Sequence, residues 1–510
     1  MKRRRALQMA VTTALGLALA GARVAAQTSS NPPSEHGPNA ADRPSNAAGQ
    51  EAGAPTAPGT SPVMNALCAY MSAAASRPLP PEAIEQAKYH ILDTVAAMIS
   101  GSELPPGQAA LRYARMYGAK GEGTIVASDL RTGPLDAALI NGVLAQADET
   151  DDSHSPSRSH PGCSVIPAAL ASGEQFGIGG AHFVRAVTLG YDIGPRVTMA
   201  LGGAAFSYES HKSTHAIAGI FGSAAAAACA AGLDAQQMHW LLDYTAQQSS
   251  GIAAWGRDTD HIEKAFVFGG MPARDGVTSA LLVRAGWNGI EDVFSGADNY
   301  FLAYAPAGDP GQLVDKLGER YEIMRTDIKK WTVGSPIQGP LDAIQSIRGR
   351  RPFEADQVER VVVRLAPAVA KVVDNRDIPD ICLQHLVAIM LLDKTVSFKA
   401  THDKARMQDA AVLGQRAKVQ LVRDAELEKF LPVRVAVVEM TFADGTQLSE
   451  RVTAVRGTPR NPMTRAEIVD KSRDLIAPVL GPDKSGRLIE TLLSLETVTD
   501  VRGLRPLLVR

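Results

Sequence analysis

The sequence predicts a mainly α protein, with one large all-helical domain and a smaller α+β domain. Three observations predict it. Stretch after stretch carries apolar residues at steps of three and four, separated by short turns marked with glycine or proline. Hydrophobic residues make up 45% of the chain and aromatics 5%, with abundant alanine, which suits close-packed helices better than a β-sandwich. Beyond Tyr321 the pattern changes to β-branched runs and a hairpin signal at Asp444-Gly445.

The N-terminus reads as an export signal. Lys2-Arg3-Arg4-Arg5 is its basic region, Ala6 to Ala22 its apolar stretch, and Val24-Ala25-Ala26 a small-residue cleavage site. This predicts a signal peptide over 1–26, a periplasmic or secreted mature protein, and no stable membrane insertion after cleavage. The arginine run is also compatible with twin-arginine export. Residues 27–60, rich in Pro, Gly, Ser, Asn and Ala, read as a disordered linker. With 52 basic and 54 acidic residues, the chain carries a formal charge of -2, which gives no footprint for nucleic acid. Cys68, Cys163, Cys229 and Cys382 are far apart and form no CxxC pair, so buried free thiols are expected.

The folded part begins near Ser61. Pro80-Pro81-Glu82 opens a helix that stops at Gly101, with Ile84, Ala87, Ile91, Val95 and Met98 on one face. Helices follow over 107–117 and 135–146, then over 165–174 and 182–200. Ser223 to Ala231 is a further helix ended by Gly232, and 236–254 another. In 262–285 a helical passage is interrupted by Gly269-Gly270. Val358 to Leu365 reads as a strand, 382–395 as a helix, and 433–455 as a hairpin. The last fifty residues return to helical pattern after Asn461-Pro462-Met463-Thr464. The predicted division is an all-helical domain over 61–321, completed by helices in 458–510, with the α+β domain over 322–457.

The chain turns on Asp148-Glu149-Thr150-Asp151-Asp152-Ser153-His154, followed by Ser159-His160-Pro161-Gly162 and the apolar Val165 to Ala171. A charge run of this kind also reads as a wet surface loop. Carboxylates, a hydroxyl and imidazoles beside so apolar a segment point instead to a cavity wall. No Gly-x-Ser-x-Gly elbow, phosphate loop or dinucleotide fingerprint is present. His211 and His215 have metal-ligand spacing, but no His-Glu-x-x-His pattern accompanies them and Ser213-Thr214 reads as a helix cap. Lys264 lies in an apolar passage, and Lys329-Lys330 precede Trp331. A lysine is usually solvated; lysines near histidines in a pocket would suit a di- or tricarboxylate, with histidine moving a proton on the adjoining carbon.

Several segments resemble the signature of the MmgE/PrpD family. They are Asp151 to His154, His160-Pro161-Gly162, Val165 to Leu170, Gly190-Tyr191-Asp192, Gly219 to Ala225, Lys264 with Gly270 and Gly276, and Gly457 to Thr464. They run in order over about 61 to 480. The resemblance implies a large helical domain with a smaller α+β lid domain, a homodimer, and no required metal or cofactor. It also implies chemistry on a small polycarboxylate, as in 2-methylcitrate dehydratase, cis-aconitate decarboxylase and an iminodisuccinate epimerase. Carried over by position, the family's loop histidine falls on His160, its loop carboxylate and hydroxyl near Glu149 and Ser153, and its lysines on Lys264 and Lys329. Its remaining histidine position is Ser213 here, so His215 for preference, or else His211, takes that place, or the group is lacking.

The reading that follows is a lyase that dehydrates a 2-methylcitrate-like hydroxy acid. Lys264 and Lys329 would clamp carboxylates, and His160 would move a proton with His215 as its counterpart. Asp152 and Glu149 would orient the imidazole, with Ser153 and His211 also on the substrate. The alternatives are decarboxylation or epimerisation of a related acid, or a non-catalytic periplasmic carboxylate-binding protein. A zinc hydrolase using His211 and His215 is a third.

Overall fold

Alanine and glycine set the architecture by letting helices approach closely. The computed structural model describes residues 59–510; the predicted signal peptide and nearly all of the predicted linker lie outside them. At the centre runs Thr214–Ala231, long and apolar enough to cross a membrane but buried on all sides by protein. It packs against Gly180–Ala200, Gly162–Phe176 and Met271–Arg284. It begins nine residues before the predicted start, because Ser213 caps it by accepting from the Ala216 N–H. Gly232 ends it in the left-handed conformation.

Around this core lie Pro62–Ser72, Pro81–Gly101, Pro105–Tyr117 and Pro134–Ala145. Between the last two, a small antiparallel ribbon pairs β1 (Gly123–Thr124) with β2 (Arg131–Thr132). The interrupted passage resolves into Ile262–Ala265, a π-helical turn at Phe266–Gly270, and Met271–Arg284. The π turn packs onto Pro134–Ala145 at a glycine pair. A Cβ on Gly269 would stand 2.1 Å from the carbonyl oxygen of Gly142, so glycine is required there. That contact places Lys264 beside the loop that Pro134–Ala145 delivers.

The α+β part is a four-stranded sheet in the order β4-β3-β5-β6, with β3 Val358–Leu365, β4 Val419–Arg423, β5 Ala436–Phe442 and β6 Gln447–Val452. β4 runs parallel to β3, while β5 pairs antiparallel with both β3 and β6; Val363 faces Leu421 on one side and Val438 on the other. Ser335–Arg350 and Leu383–Asp393 share one apolar core with this sheet. β4 has no counterpart in the sequence reading; its five residues, two of them polar, are too few to show an alternation. At the C-terminus, Arg465–Leu480 and Pro482–Leu493 pack on Pro81–Gly101, the first opened by a Thr464–Glu467 capping box. The result is a mainly α protein with a small α+β part. All four cysteines are free and buried.

Candidate active site

The acidic run is buried. Asp148, Glu149, Asp151 and Asp152 all lie inside the protein, and burying four neighbouring carboxylates demands a separate partner for each. Asp148 accepts from the Thr150 N–H at 2.9 Å and the Thr150 hydroxyl at 2.7 Å. His402 Nε2 lies 3.0 Å from the oxygen that takes the Thr150 hydroxyl. Glu149 pairs with Lys264, and its second oxygen stands 3.8 Å from Lys329 Nζ. Asp151 takes His160 Nδ1 at 2.9 Å and Lys329 Nζ at 3.3 Å. Asp152 accepts from His90 Nδ1 at 2.9 Å, from the Tyr191 hydroxyl at 2.6 Å and from the Gly162 N–H at 3.0 Å. The loop backbone is held as firmly. Lys329 donates to the Glu149 carbonyl at 2.8 Å, Lys471 to that of Thr150 at 3.2 Å, and Ser153 pairs with Asp327 as an antiparallel bridge.

A cavity of about 450 Å³ opens against this loop, within the size range of small-molecule sites. Glu149, His160, His215, Lys264, Trp255 and Phe268 line it together with Arg158 and Tyr208 and, from the α+β part, Val372 and Arg434. His160 stands just before the helix Gly162–Phe176, and His215 sits in the first turn of Thr214–Ala231. Their ring centroids are 5.0 Å apart. His215 stacks on Phe268 at 3.9 Å and meets Trp255 edge-on at 5.5 Å.

Electrostatics separate the two imidazoles. Burial, then the charges of His160, Arg158 and Lys264, hold the pKa of His215 well below the usual histidine range, so it is neutral near pH 7. Its Nδ1 is buried with no hydrogen-bond partner. His160 donates Nδ1–H to Asp151, which leaves Nε2 as the ring nitrogen available to a ligand. Burial opposes ionisation of Glu149, but the charges of Lys264 and Lys329 outweigh it and hold this carboxyl below its usual range. Lys329 is correspondingly held up by Asp151 and Glu149 against the effect of its burial.

The predicted residues divide accordingly. His160, His215, Lys264 and Glu149 meet at one cavity. Asp152 does not orient His160; its neighbour Asp151 does, because adjacent loop residues point to opposite sides and Asp152 faces His90 and Tyr191. Ser153 is directed into a neighbouring groove by its pairing with Asp327. Lys329 is buried and absent from the lining of this cavity; it holds the loop through the Glu149 carbonyl and Asp151, and it borders the same neighbouring groove as Ser153. His211 is exposed, in a left-handed conformation between two helices, and lines no part of the cavity. It shares no face with His215, and among the described residues no three His, Cys, Asp or Glu side chains are grouped to hold a metal ion.

Sequence reasoning missed Asp151 as the imidazole's partner, and missed Arg158, Arg434, His402 and the aromatic floor. Arg158 lay in plain view, two residues before His160; Arg434, in the α+β part, carried no local signal.

The chain matches known proteins over most of its length. Residues 65–312 match the MmgE/PrpD N-terminal domain and 331–497 the MmgE/PrpD C-terminal domain. The chain is 26% identical over 473 residues to a cis-aconitate decarboxylase-like protein of Aspergillus oryzae, covering 87% of this chain and 96% of the relative. It is 24% identical over 482 residues to a cis-aconitate decarboxylase of Aspergillus terreus, covering 88% and 96%. The human cis-aconitate decarboxylase is 24% identical over 449 residues, covering 83% and 90%. Matched by both domains over most of its length, the chain belongs to the MmgE/PrpD family.

Proposed function

We propose that this protein is a lyase that decarboxylates a small polycarboxylate of the cis-aconitate type. The observation that carries the reading is the Asp151–His160 pair, set 5.0 Å from a neutral His215 in a cavity that also holds Lys264. The names of the relatives favour decarboxylation over the dehydration that the sequence alone put first.

Decarboxylation of such an acid breaks the bond between a methylene carbon and its carboxylate. The electron pair passes into the adjoining carbon–carbon double bond and is delocalised toward a retained carboxylate, and CO2 leaves. The allylic carbanion then takes a proton at the carbon next to that carboxylate. Lys264 supplies a cation for a retained carboxylate. Protonated His160, its ring fixed through Nδ1 by Asp151, delivers the proton from Nε2. The apolar walls of Phe268, Trp255 and Val372 suit a group that enters charged and departs as neutral CO2. Dehydration would use the same pair, with neutral His215 taking the α proton and His160 protonating the hydroxyl.

Purified mature protein supplied with cis-aconitate, and separately with 2-methylcitrate, tests the reading. Release of CO2 from the first is expected; release of water from the second without any CO2 from the first would overturn it in favour of the dehydratase. We also propose export to the periplasm or beyond from residues 1–26, and a homodimer from the family resemblance; cell fractionation and sedimentation test these.

A further inference from the structure

The arginine buried deepest among the described residues, Arg196, is fully paired. Arg196, wholly inside, donates to Asp192 at 3.0 Å and to the carbonyls of Asp315 and Arg320 at 2.6 and 2.8 Å. Two arginines at the cavity are not fully paired. Arg158 comes from the loop just before His160, with a positive φ of 52° that a side-chain-bearing residue rarely adopts. Its guanidinium lies 4.0 Å over the Tyr208 ring, and its Nη1 is buried with no hydrogen-bond partner. Arg434 reaches the same cavity from the α+β part, and its one side-chain hydrogen bond is a long one, 3.4 Å from Nη1 to the Ser155 hydroxyl. Neither forms an ion pair with a carboxylate among the described residues.

The other charges at this cavity are matched. Lys264 is paired with Glu149, and Asp151 with His160 and Lys329. Burial disfavours the Arg434 cation; Asp327 offsets part of that, and the like charge of Arg158 adds to it. Two half-buried guanidiniums facing one space, neither in contact with a carboxylate, are unfavourable in the empty protein. A ligand carboxylate answers both, because the guanidinium fork matches its two oxygens.

We propose that Arg158 and Arg434 form a carboxylate subsite that makes the cavity selective for tricarboxylates over dicarboxylates. One carboxylate would face the aromatic wall, one Lys264, and the third the two arginines. The substrate class rests on the polycarboxylate-lyase reading above; the position of the subsite rests on the two unpaired cations alone.

The test is calorimetric binding of propane-1,2,3-tricarboxylate, which has no double bond to support decarboxylation, compared with glutarate, which has one carboxylate fewer. The wild-type protein is expected to prefer the tricarboxylate. Arg158→Gln and Arg434→Gln should each weaken its binding by roughly tenfold or more and narrow the preference, since each removes a charged hydrogen-bonding partner. The double variant should lose less than the product of the two single losses, because both side chains serve one carboxylate. Arg158→Lys and Arg434→Lys, which keep the charge without the fork, should lose an intermediate amount and serve if a glutamine variant does not fold. Tricarboxylate affinity unchanged within about twofold in both positions, or no preference in the wild type, would overturn the subsite. Preferential tricarboxylate binding without turnover of any acid would sink the lyase reading and leave the subsite standing. Turnover with an unaltered preference in the variants would do the reverse.

Discussion

His160 Nδ1 stands 2.9 Å from Asp151 Oδ2, while the adjacent Asp152 points away, to His90 and Tyr191. Two neighbouring aspartates therefore have distinct tasks, one at the cavity and one in the core.

Substitution separates these tasks. Asp151→Asn keeps the size of the side chain but removes the charge that fixes the imidazole, and should lower kcat by about a hundredfold or more with KM little altered. Asp152→Asn should act first on stability, by about 3–5 kcal/mol, because it disrupts a fully buried charged network tying three helices to the loop. Steady-state kinetics and thermal melts on both variants check this.

Glu149 is the counter-ion for two lysines. Glu149→Gln leaves Lys264 without its carboxylate and removes one of the two that face Lys329. A loss of about 3–5 kcal/mol in unfolding free energy is expected by chemical denaturation. The double variant Glu149→Gln, Lys264→Met should be more stable than the single one, since no unpaired cation then remains at position 264.

The alkaline limit of stability should lie with His402. Its Nδ1 donates to the Phe398 carbonyl at 2.7 Å, and its Nε2 lies 3.0 Å from Asp148, so both ring nitrogens face acceptors. Burial works against the cation, but Asp148 and then Asp380 hold its pKa up at about 9. The unfolded value is about 6.5. A group raised on folding contributes its full stabilisation below about pH 6.5 and loses it as the pH rises through about 9. Asp148, held below the usual carboxylate range by the same pair despite burial, contributes above that range and loses its share in acid. Melting temperature followed against pH should therefore fall across the alkaline range, and His402→Gln should flatten that limb.

Much of the helical framework was legible because its signals are local. The helix Pro81–Gly101 begins at a proline pair and ends at a glycine, and strand β3 is a run of β-branched residues; both fall where the sequence put them. The start of Thr214–Ala231 was misplaced although Ser213-Thr214 read as a cap, because Gly219 and Gly222 look like breakers in the sequence while in the fold they let Pro272 and Gly190 pack closely. At the site, His160 was legible from its His-Pro-Gly context. The choice between Asp151 and Asp152 was not, since it depends on which side of a buried loop each faces, and that is decided by Tyr191 and His90, far away in sequence. Arg434 is invisible locally for the same reason: 274 positions separate it from His160, and only packing of the α+β part brings it to the cavity.

If His160 delivers the proton to carbon, deuterium from the solvent must enter the product through it. Mature protein would be incubated with cis-aconitate in D2O and the product read by proton NMR, beside Asp151→Asn and His160→Ala. Loss of one carboxylate and gain of a single deuteron on the carbon next to a retained carboxylate are expected, slowed in the first variant and abolished in the second. The same product formed at an undiminished rate by His160→Ala would contradict it.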